Sequence, residues 1–279
     1  IYIGKPYIEK KGERVRLCSD IEDECKRTLF YETDTSFEEF LCVENSDAFV
    51  LGLLHHAMNT GKDIICEIGM TEQLLFQLKN YYIPIISRNM PDMNAIEIVS
   101  DTIEACNKLC DGVVTGNSGG VDSFYTILKH AKTNNKKNTL THLLFNNIST
   151  EDYDENRIRA VFEKDIVEKD RIANELGMIP VNVFSNLFTF YKSHFIYNFY
   201  YTAQYVSVVY ALSKLFSVYY FSSGDTLQQF SIEYEKIDDG SDFDLFSLFC
   251  FSTRQMVLYS AGIEVNRDEK MKYIINSDI

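Results

Sequence analysis

The densest chemistry in the sequence lies at Thr115-Gly116-Asn117-Ser118-Gly119-Gly120-Val121-Asp122-Ser123, where three glycines, two serines and a carboxylate separate an apolar run from the helical run that begins at Phe124. Glycines let a chain turn sharply and bring its N–H groups close to an anion. Serine hydroxyls add donors, and the following helix aims the positive end of its dipole at the same spot. Together these make a phosphate cradle. Asp122 repels a bare phosphate, so it is assigned either to the helix N-cap or to a Mg²⁺ bridging to phosphate oxygens. The plain alternative is a Gly-rich strand-to-helix turn with a capping Asp. A Walker loop does not fit, because the Gly-Lys-Ser/Thr ending is missing.

From about Cys110 the sequence repeats apolar strand, small-residue turn and amphipathic helix. Strands are predicted at 112–115, 140–145, 180–184, 218–222 and 256–259, with crossovers at 123–131, 155–176, 188–215 and 244–252. That alternation predicts an α/β fold with a parallel sheet covered by helices on both faces, and ligands beyond the carboxyl ends of its strands. The second strand ends at Leu144-Phe145-Asn146-Asn147. The fourth ends at Ser222-Ser223-Gly224-Asp225-Thr226, a small polar turn suited to a phosphate, a metal or an acceptor. Upstream, strands are read at 14–18, 28–33, 63–67 and 95–99, and helices at 47–59 and 71–79, the latter with Thr71 as N-cap. A small α+β domain of unread role over 1–105 is therefore expected to precede a nucleotide-binding domain over 106–279.

The hexapeptide Ser118-Gly119-Gly120-Val121-Asp122-Ser123 resembles the PP-loop, Ser-Gly-Gly-x-Asp-Ser, of the N-type ATP pyrophosphatases. This is the adenine nucleotide alpha hydrolase-like superfamily, which includes GMP and NAD synthetases, asparagine and argininosuccinate synthetases, tRNA-lysidine synthetase, tRNA thiolases and 7-cyano-7-deazaguanine synthase. The resemblance runs from about residue 110 to 279. It implies a Rossmann-like domain of the HUP type that binds ATP and breaks the α–β bond, leaving an adenylated substrate and pyrophosphate. It implies that Gly116, Asn117, Ser118, Gly119, Gly120, Val121, Asp122 and Ser123 surround the β,γ-pyrophosphate and that Phe145 and Asn146 contact adenine. Ser222, Ser223 and Gly224 are expected to complete the ATP site, with Asp122 and Asp225 as the candidates toward Mg²⁺, and a plain turn at 222–226 is the alternative. Leaving pyrophosphate needs cations. Lys129, Arg254, Arg267 and Lys270 are candidates. Arg254 and Arg267 are preferred because the chain must return near the sheet edge there, which gives a catalytic set of Ser118, Asp122, Ser123, Arg254 and Arg267.

Composition narrows the relatives. The 279 residues carry 27 Lys plus Arg against 41 Asp plus Glu, a net charge of −14, which argues against broad phosphate-backbone binding to nucleic acid. Seven cysteines form no CxxC pair, which favours a reducing cytoplasm and argues against structural zinc. Cys106 and Cys110 precede the first strand at its far end from the loop, poorly placed for a persulfide beside an adenylate. Only Cys250 lies in the carboxyl half, unlike the clustered cysteines of the nucleobase-forming synthase. Residues 1–105 do not supply a glutaminase. The apolar stretch 188–221 is broken by Lys192, His194, Asn198, Gln204 and Lys214, so a buried helix is expected rather than a membrane span. Its tyrosines suggest an acceptor pocket for a flat or apolar molecule, with His194 as a candidate base, and acidic residues 233–244 read as a loop or lid. The expected activity is ATP-dependent, AMP-forming adenylation of a small or carrier-linked carbonyl substrate, which a nitrogen or sulfur nucleophile then attacks in amide or thioamide biosynthesis. A non-catalytic ATP/AMP-binding regulatory module and a sulfur-transferring RNA modification enzyme are the alternatives, and a homodimer is left open.

Overall fold

Strands here are short, and alternation of apolar side chains along them decides which surface each helix covers. The computed structural model describes residues 1–148, 150 and 152–277. The chain opens with β1 (Tyr2–Ile3), β2 (Tyr7–Lys11), β3 (Arg14–Glu22) and β4 (Lys26–Asp34), of which β2, β3 and β4 form an antiparallel meander. Next comes α1 (Asp47–Thr60), almost wholly buried and closed by Gly61 at φ 66°, a left-handed cap that suits glycine. Short pieces follow: β5 (Ile64–Cys66), β6 (Met70–Thr71), α2 (Glu72–Gln77), a π-helical turn at Leu78–Tyr82, α3 (Ile83–Asn89), β7 (Ile98–Val99) and β8 (Thr102–Ile103). Thr71 stands at the N-cap of α2, but its hydroxyl donates to Asp47 Oδ2 at 2.6 Å rather than closing the helix.

Beyond residue 111 the elements are β9 (Gly112–Gly116), α4 (Val121–His130), β10 (His142–Asn146), α5 (Glu155–Glu175), β11 (Ile179–Ser185), α6 (His194–Phe199), α7 (Tyr201–Ala211), β12 (Phe216–Ser222), α8 (Asp244–Phe251), β13 (Val257–Ala261) and α9 (Arg267–Ile275). The fold is α/β. Five parallel strands run in the order β13-β12-β9-β10-β11, and Val113, Leu143, Val218 and Tyr220 pack with Ile127 of α4 and Ala173 of α5. The alternate residues Val114, Leu144, Tyr219 and Phe221 join the larger core that contains α7 and α1. β9 is the switch point: β10 lies on one side of it and β12 on the other, which opens a crevice at the carboxyl edge.

The amino-terminal strands extend this same sheet. β4 pairs antiparallel with β11, Phe184 opposite Glu32 and Ser185 opposite Tyr31. The core is continuous across the junction, and the Tyr31 hydroxyl lies 2.9 Å from Ser207 Oγ on α7. The single helix expected over 188–215 is interrupted. A 3-10 turn at Leu187–Phe190 comes first, and Tyr200 leaves helical geometry between α6 and α7 to stack on His55, ring centroids 4.6 Å apart. Among the described residues no helix is long and apolar enough to cross a membrane.

One buried carboxylate fastens the two parts of the sheet. Glu32 accepts from Arg16 Nε and from Arg159 Nη1 of α5, each at 2.6 Å, and those guanidiniums lie 3.9 Å from the rings of Phe30 and Phe184 respectively. Burial pushes the Glu32 carboxyl up, but its bonds to Arg159 and Arg16 outweigh that and hold it below its ordinary value. A depressed folded-state value adds stability above the unfolded value, and that stability is lost as pH falls. Glu32→Gln should therefore lower unfolding free energy by about 2–3 kcal/mol at neutral pH, because two partly buried guanidiniums lose their partner. In urea titrations the gap to wild type should close below about pH 4.

Candidate functional site

The glycine-rich turn lies where β9 runs out. Gly116 is open on its side-chain face, and Asn117 is held by its amide on Leu144 O at 2.8 Å and by Nδ2 on Lys169 O at 3.1 Å. Ser118, Gly119 and Gly120 then stand exposed, with Gly119 at φ 87°, a conformation that side chains other than hydrogen rarely tolerate. Gly120, rather than Asp122, occupies the N-cap of α4, and Asp122 falls in its first turn. Ser118 and Ser123 brace the turn. Ser118 Oγ donates to Ser123 Oγ at 3.0 Å, and Ser123 Oγ to Gly120 O at 2.9 Å, while the Gly120 amide donates to Ser118 Oγ at 3.2 Å. The amides of Ser118, Gly119, Val121, Asp122 and Ser123 donate to no hydrogen bond among the described residues. Asn117 Oδ1 is buried and equally unpartnered there.

Two lysines reach this turn. Lys270 of α9 is completely buried, and its Nζ donates to Asp122 Oδ1 at 2.8 Å and to Ser223 O at 2.6 Å. Its stem passes Gly262, where an added Cβ would sit 3.0 Å from Lys270 Cε, and α9 is steadied by Tyr273 packed edge-on against Tyr125 of α4 at 5.1 Å. Lys270 thus joins the helix after β9 to the turn after β12. Lys169 of α5 donates to Ser118 O at 2.8 Å and lies 5.5 Å from the centre of the Phe145 ring.

Between the loop and α7 lies a cavity of about 240 Å³, lined by Gly116, Ser118, Ser123, Ser222 and the rings of Tyr201, Tyr205, Tyr219 and Phe221. Tyr201 and Phe221 are parallel within 9°, their centroids 6.2 Å apart, and Ser222 Oγ is buried with no partner among the described residues. Behind this wall sits Asp244, fully buried at the start of α8. It accepts from the hydroxyls of Thr202 and, at 3.4 Å, Tyr201. Burial pushes its carboxyl up to about 8. The acidic residues 233–244 form two short 3-10 turns, Tyr234–Lys236 and Gly240–Phe243. Gly240 packs on the Phe199 carbonyl so closely that a Cβ would lie 2.1 Å from its oxygen.

The remaining expected residues scatter. Phe145 stacks on Phe162 at 5.2 Å and Asn146 Oδ1 accepts from the Ile148 amide at 3.1 Å, and neither lines the cavity. Ser223 supplies the carbonyl that Lys270 grips, and Gly224 comes next in the open turn. Asp225 is committed on both oxygens, to Gln229 Nε2 at 2.7 Å and to the Ser241 hydroxyl. Lys129 is paired with Glu264. Arg254 precedes β13, and because that strand runs parallel to β9 its amino end lies at the edge of the sheet opposite the loop; the Arg254 amide donates to Gln73 Oε1. Arg267 is exposed at the start of α9. His194 begins α6, but its side chain lies outside the described residues. Lys169 is absent from the expected set although its spacing marks it: with Phe162, Ile166 and Ala173 it lies on the inward stripe of α5. Lys270 is one of the four candidate cations named from the sequence, though not one of the two preferred.

Comparisons with protein-family models, with curated proteins and with solved structures yield no match.

The buried Asp244 makes a pH-dependent contribution whose sign is fixed. Its folded-state value lies above the ordinary carboxylate range, so the native state binds more protons than the unfolded one, and this group's contribution to stability falls as pH rises from about 4 to about 8. Asp244→Asn should gain stability relative to wild type across that window. Thermal unfolding of both proteins at several pH values checks it, and a constant difference would contradict the assignment.

Proposed function

We propose that the chain is an ATP-dependent, AMP-forming enzyme of the PP-loop type, an adenylating ligase or sulfurtransferase acting on a small or carrier-linked carbonyl substrate. The observation that carries this reading is the turn at the sheet's switch point beside a buried lysine, where the amides of Ser118, Gly119, Val121, Asp122 and Ser123 donate to no hydrogen bond among the described residues. Such a row at a helix start suits the β- and γ-phosphates of ATP. The strand order with β9 at its centre is compatible with a Rossmann-like domain, and the HUP type belongs to the proposal.

In this reading the Ser222-Ser223-Gly224 turn faces the α-phosphate, and the acceptor lies in the aromatic cavity of Tyr201, Tyr205, Tyr219 and Phe221, which suits a flat molecule. An acceptor oxygen attacks the α-phosphorus, the α–β bond breaks, and a nitrogen or sulfur nucleophile later displaces AMP. The loop amides, the α4 dipole and the ammonium groups of Lys169 and Lys270 oppose the charge that grows on the departing pyrophosphate. Residues 1–105 act as a buttress, because α1 packs on α7 and so fixes the aromatic wall.

For Mg²⁺ the residues fit in part. Asp122 Oδ2 takes no described hydrogen bond and suits an ion that arrives with the phosphates, whereas both Asp225 oxygens are already engaged. The described residues assemble no group of three His, Cys, Asp or Glu side chains. A bound Mg²⁺ would neutralise phosphate charge.

Incubation with Mg·ATP and a panel of small aromatic and carrier-linked acids should give AMP and pyrophosphate in equal amounts. Removing the loop carboxylate in Asp122→Ala should cut the rate by roughly 10²-fold or more. ADP and phosphate as products would contradict the proposal, and tight ATP binding without turnover would favour a nucleotide-sensing module.

A further inference from the structure

A cavity of about 580 Å³ opens where the chain enters β13, at the edge of the sheet opposite the glycine-rich turn. Its walls are α2, the residues that follow β8 and the turn that holds Thr253, Arg254 and Gln255. Glutamines bind these walls together. Gln77 Nε2 donates to Cys250 O at 2.6 Å and to Ser252 O at 2.7 Å, Gln73 Nε2 donates to Gln77 Oε1 at 3.1 Å, and Gln73 Oε1 accepts from the Arg254 amide at 2.9 Å. With the glutamines spent on structure, the cavity is preformed.

Three charged side chains remain. β6 and β8 pair in parallel with Thr71 opposite Ile103, so the next residues, Glu72 and Glu104, leave the same end of that small sheet, and both line the cavity. Arg254 lines it as well. None of the three side chains takes part in an ion pair or hydrogen bond among the described residues, so a guanidinium and two carboxylates share one cavity without touching. Opposite charges that border one space yet do not pair with each other suit a ligand that carries both signs and lies between them. Phe76 adds an apolar surface: its half-exposed ring lines the cavity and meets Tyr81 edge-on, centroids 5.9 Å apart.

We propose that this cavity binds a free α-amino acid with an apolar or aromatic side chain, its carboxylate on Arg254, its ammonium between Glu72 and Glu104, and its side chain on Phe76. A guanidinium can give a carboxylate two parallel N–H bonds, and an ammonium has three protons to divide between two carboxylates. The site lies at the other edge of the sheet from the turn proposed to hold ATP, so it stands whether or not that turn binds a nucleotide.

The test is titration calorimetry of the full chain at neutral pH, without nucleotide, using L-phenylalanine, L-tyrosine and L-leucine as probes. At least one of them should bind with one molecule per chain. Capping either charge of that amino acid, as the N-acetyl derivative or as the amide, should weaken binding by roughly 10-fold or more, because each cap removes a charge-assisted contact. Arg254→Ala and the double variant Glu72→Gln/Glu104→Gln should lose affinity to a similar extent, with circular dichroism spectra unchanged because all three side chains are exposed. No binding of any of the three amino acids to the wild-type chain overturns the proposal, as do capped derivatives that bind as tightly as their parent.

Discussion

A lysine ammonium with no solvent exposure is tolerable only where its charge is paired and its protons are accepted. Lys270 meets that demand with Asp122 on the helix after β9 and with the Ser223 carbonyl after β12. Those two turns flank the point where the strand order reverses, so a single buried cation fixes the width of the crevice. The other parts of the site depend on it. Gly262, at φ 86°, holds a conformation that suits glycine and leaves the lysine stem room, since a Cβ there would lie 3.0 Å from Lys270 Cε, and α9 lies on α4 where the ammonium arrives. With these groups holding the turn, the amides of Ser118, Gly119, Val121, Asp122 and Ser123 are left without a partner among the described residues.

The second constraint comes from the amino-terminal residues. α7 carries Tyr201 and Tyr205 into the cavity, and a helix buried on several sides needs partners on each of them. α1 supplies one, and β4 extends the sheet beneath it through its pairing with β11. Glu32 and its two arginines fasten that seam to α5. α5 in turn places Lys169 at the loop. The path from the amino terminus to the cradle is therefore a run of packed elements.

The parallel half of the sheet is legible in the sequence because each of its strands contains an apolar run and is followed by a helical segment. The strand-to-helix turn is legible for a related reason: three glycines and two serines follow an apolar run and precede a helical one. Less is legible where partners are distant in sequence. Nothing near Glu32 announces Arg159, and nothing near β4 announces its antiparallel pairing with β11. Proximity in sequence to the last strand favours Arg254 and Arg267 as cations, yet strand direction puts Arg254 at the opposite edge, and Lys270 is the residue that turns inward. The break at Tyr200 comes from stacking on His55, a contact across well over a hundred residues that no helical periodicity encodes.

The proposed function requires the unengaged amides between Ser118 and Ser123 to seat the terminal phosphates of ATP. A crystal structure of the chain with Mg²⁺ and an ATP analogue whose α–β bridge is a methylene group tests this directly, since that bond resists cleavage. The account predicts β- and γ-phosphate oxygens within hydrogen-bond distance of those amides and the α-phosphate turned toward Ser222. Phosphates bound elsewhere on the molecule, or a loop left vacant at saturating analogue, would contradict it.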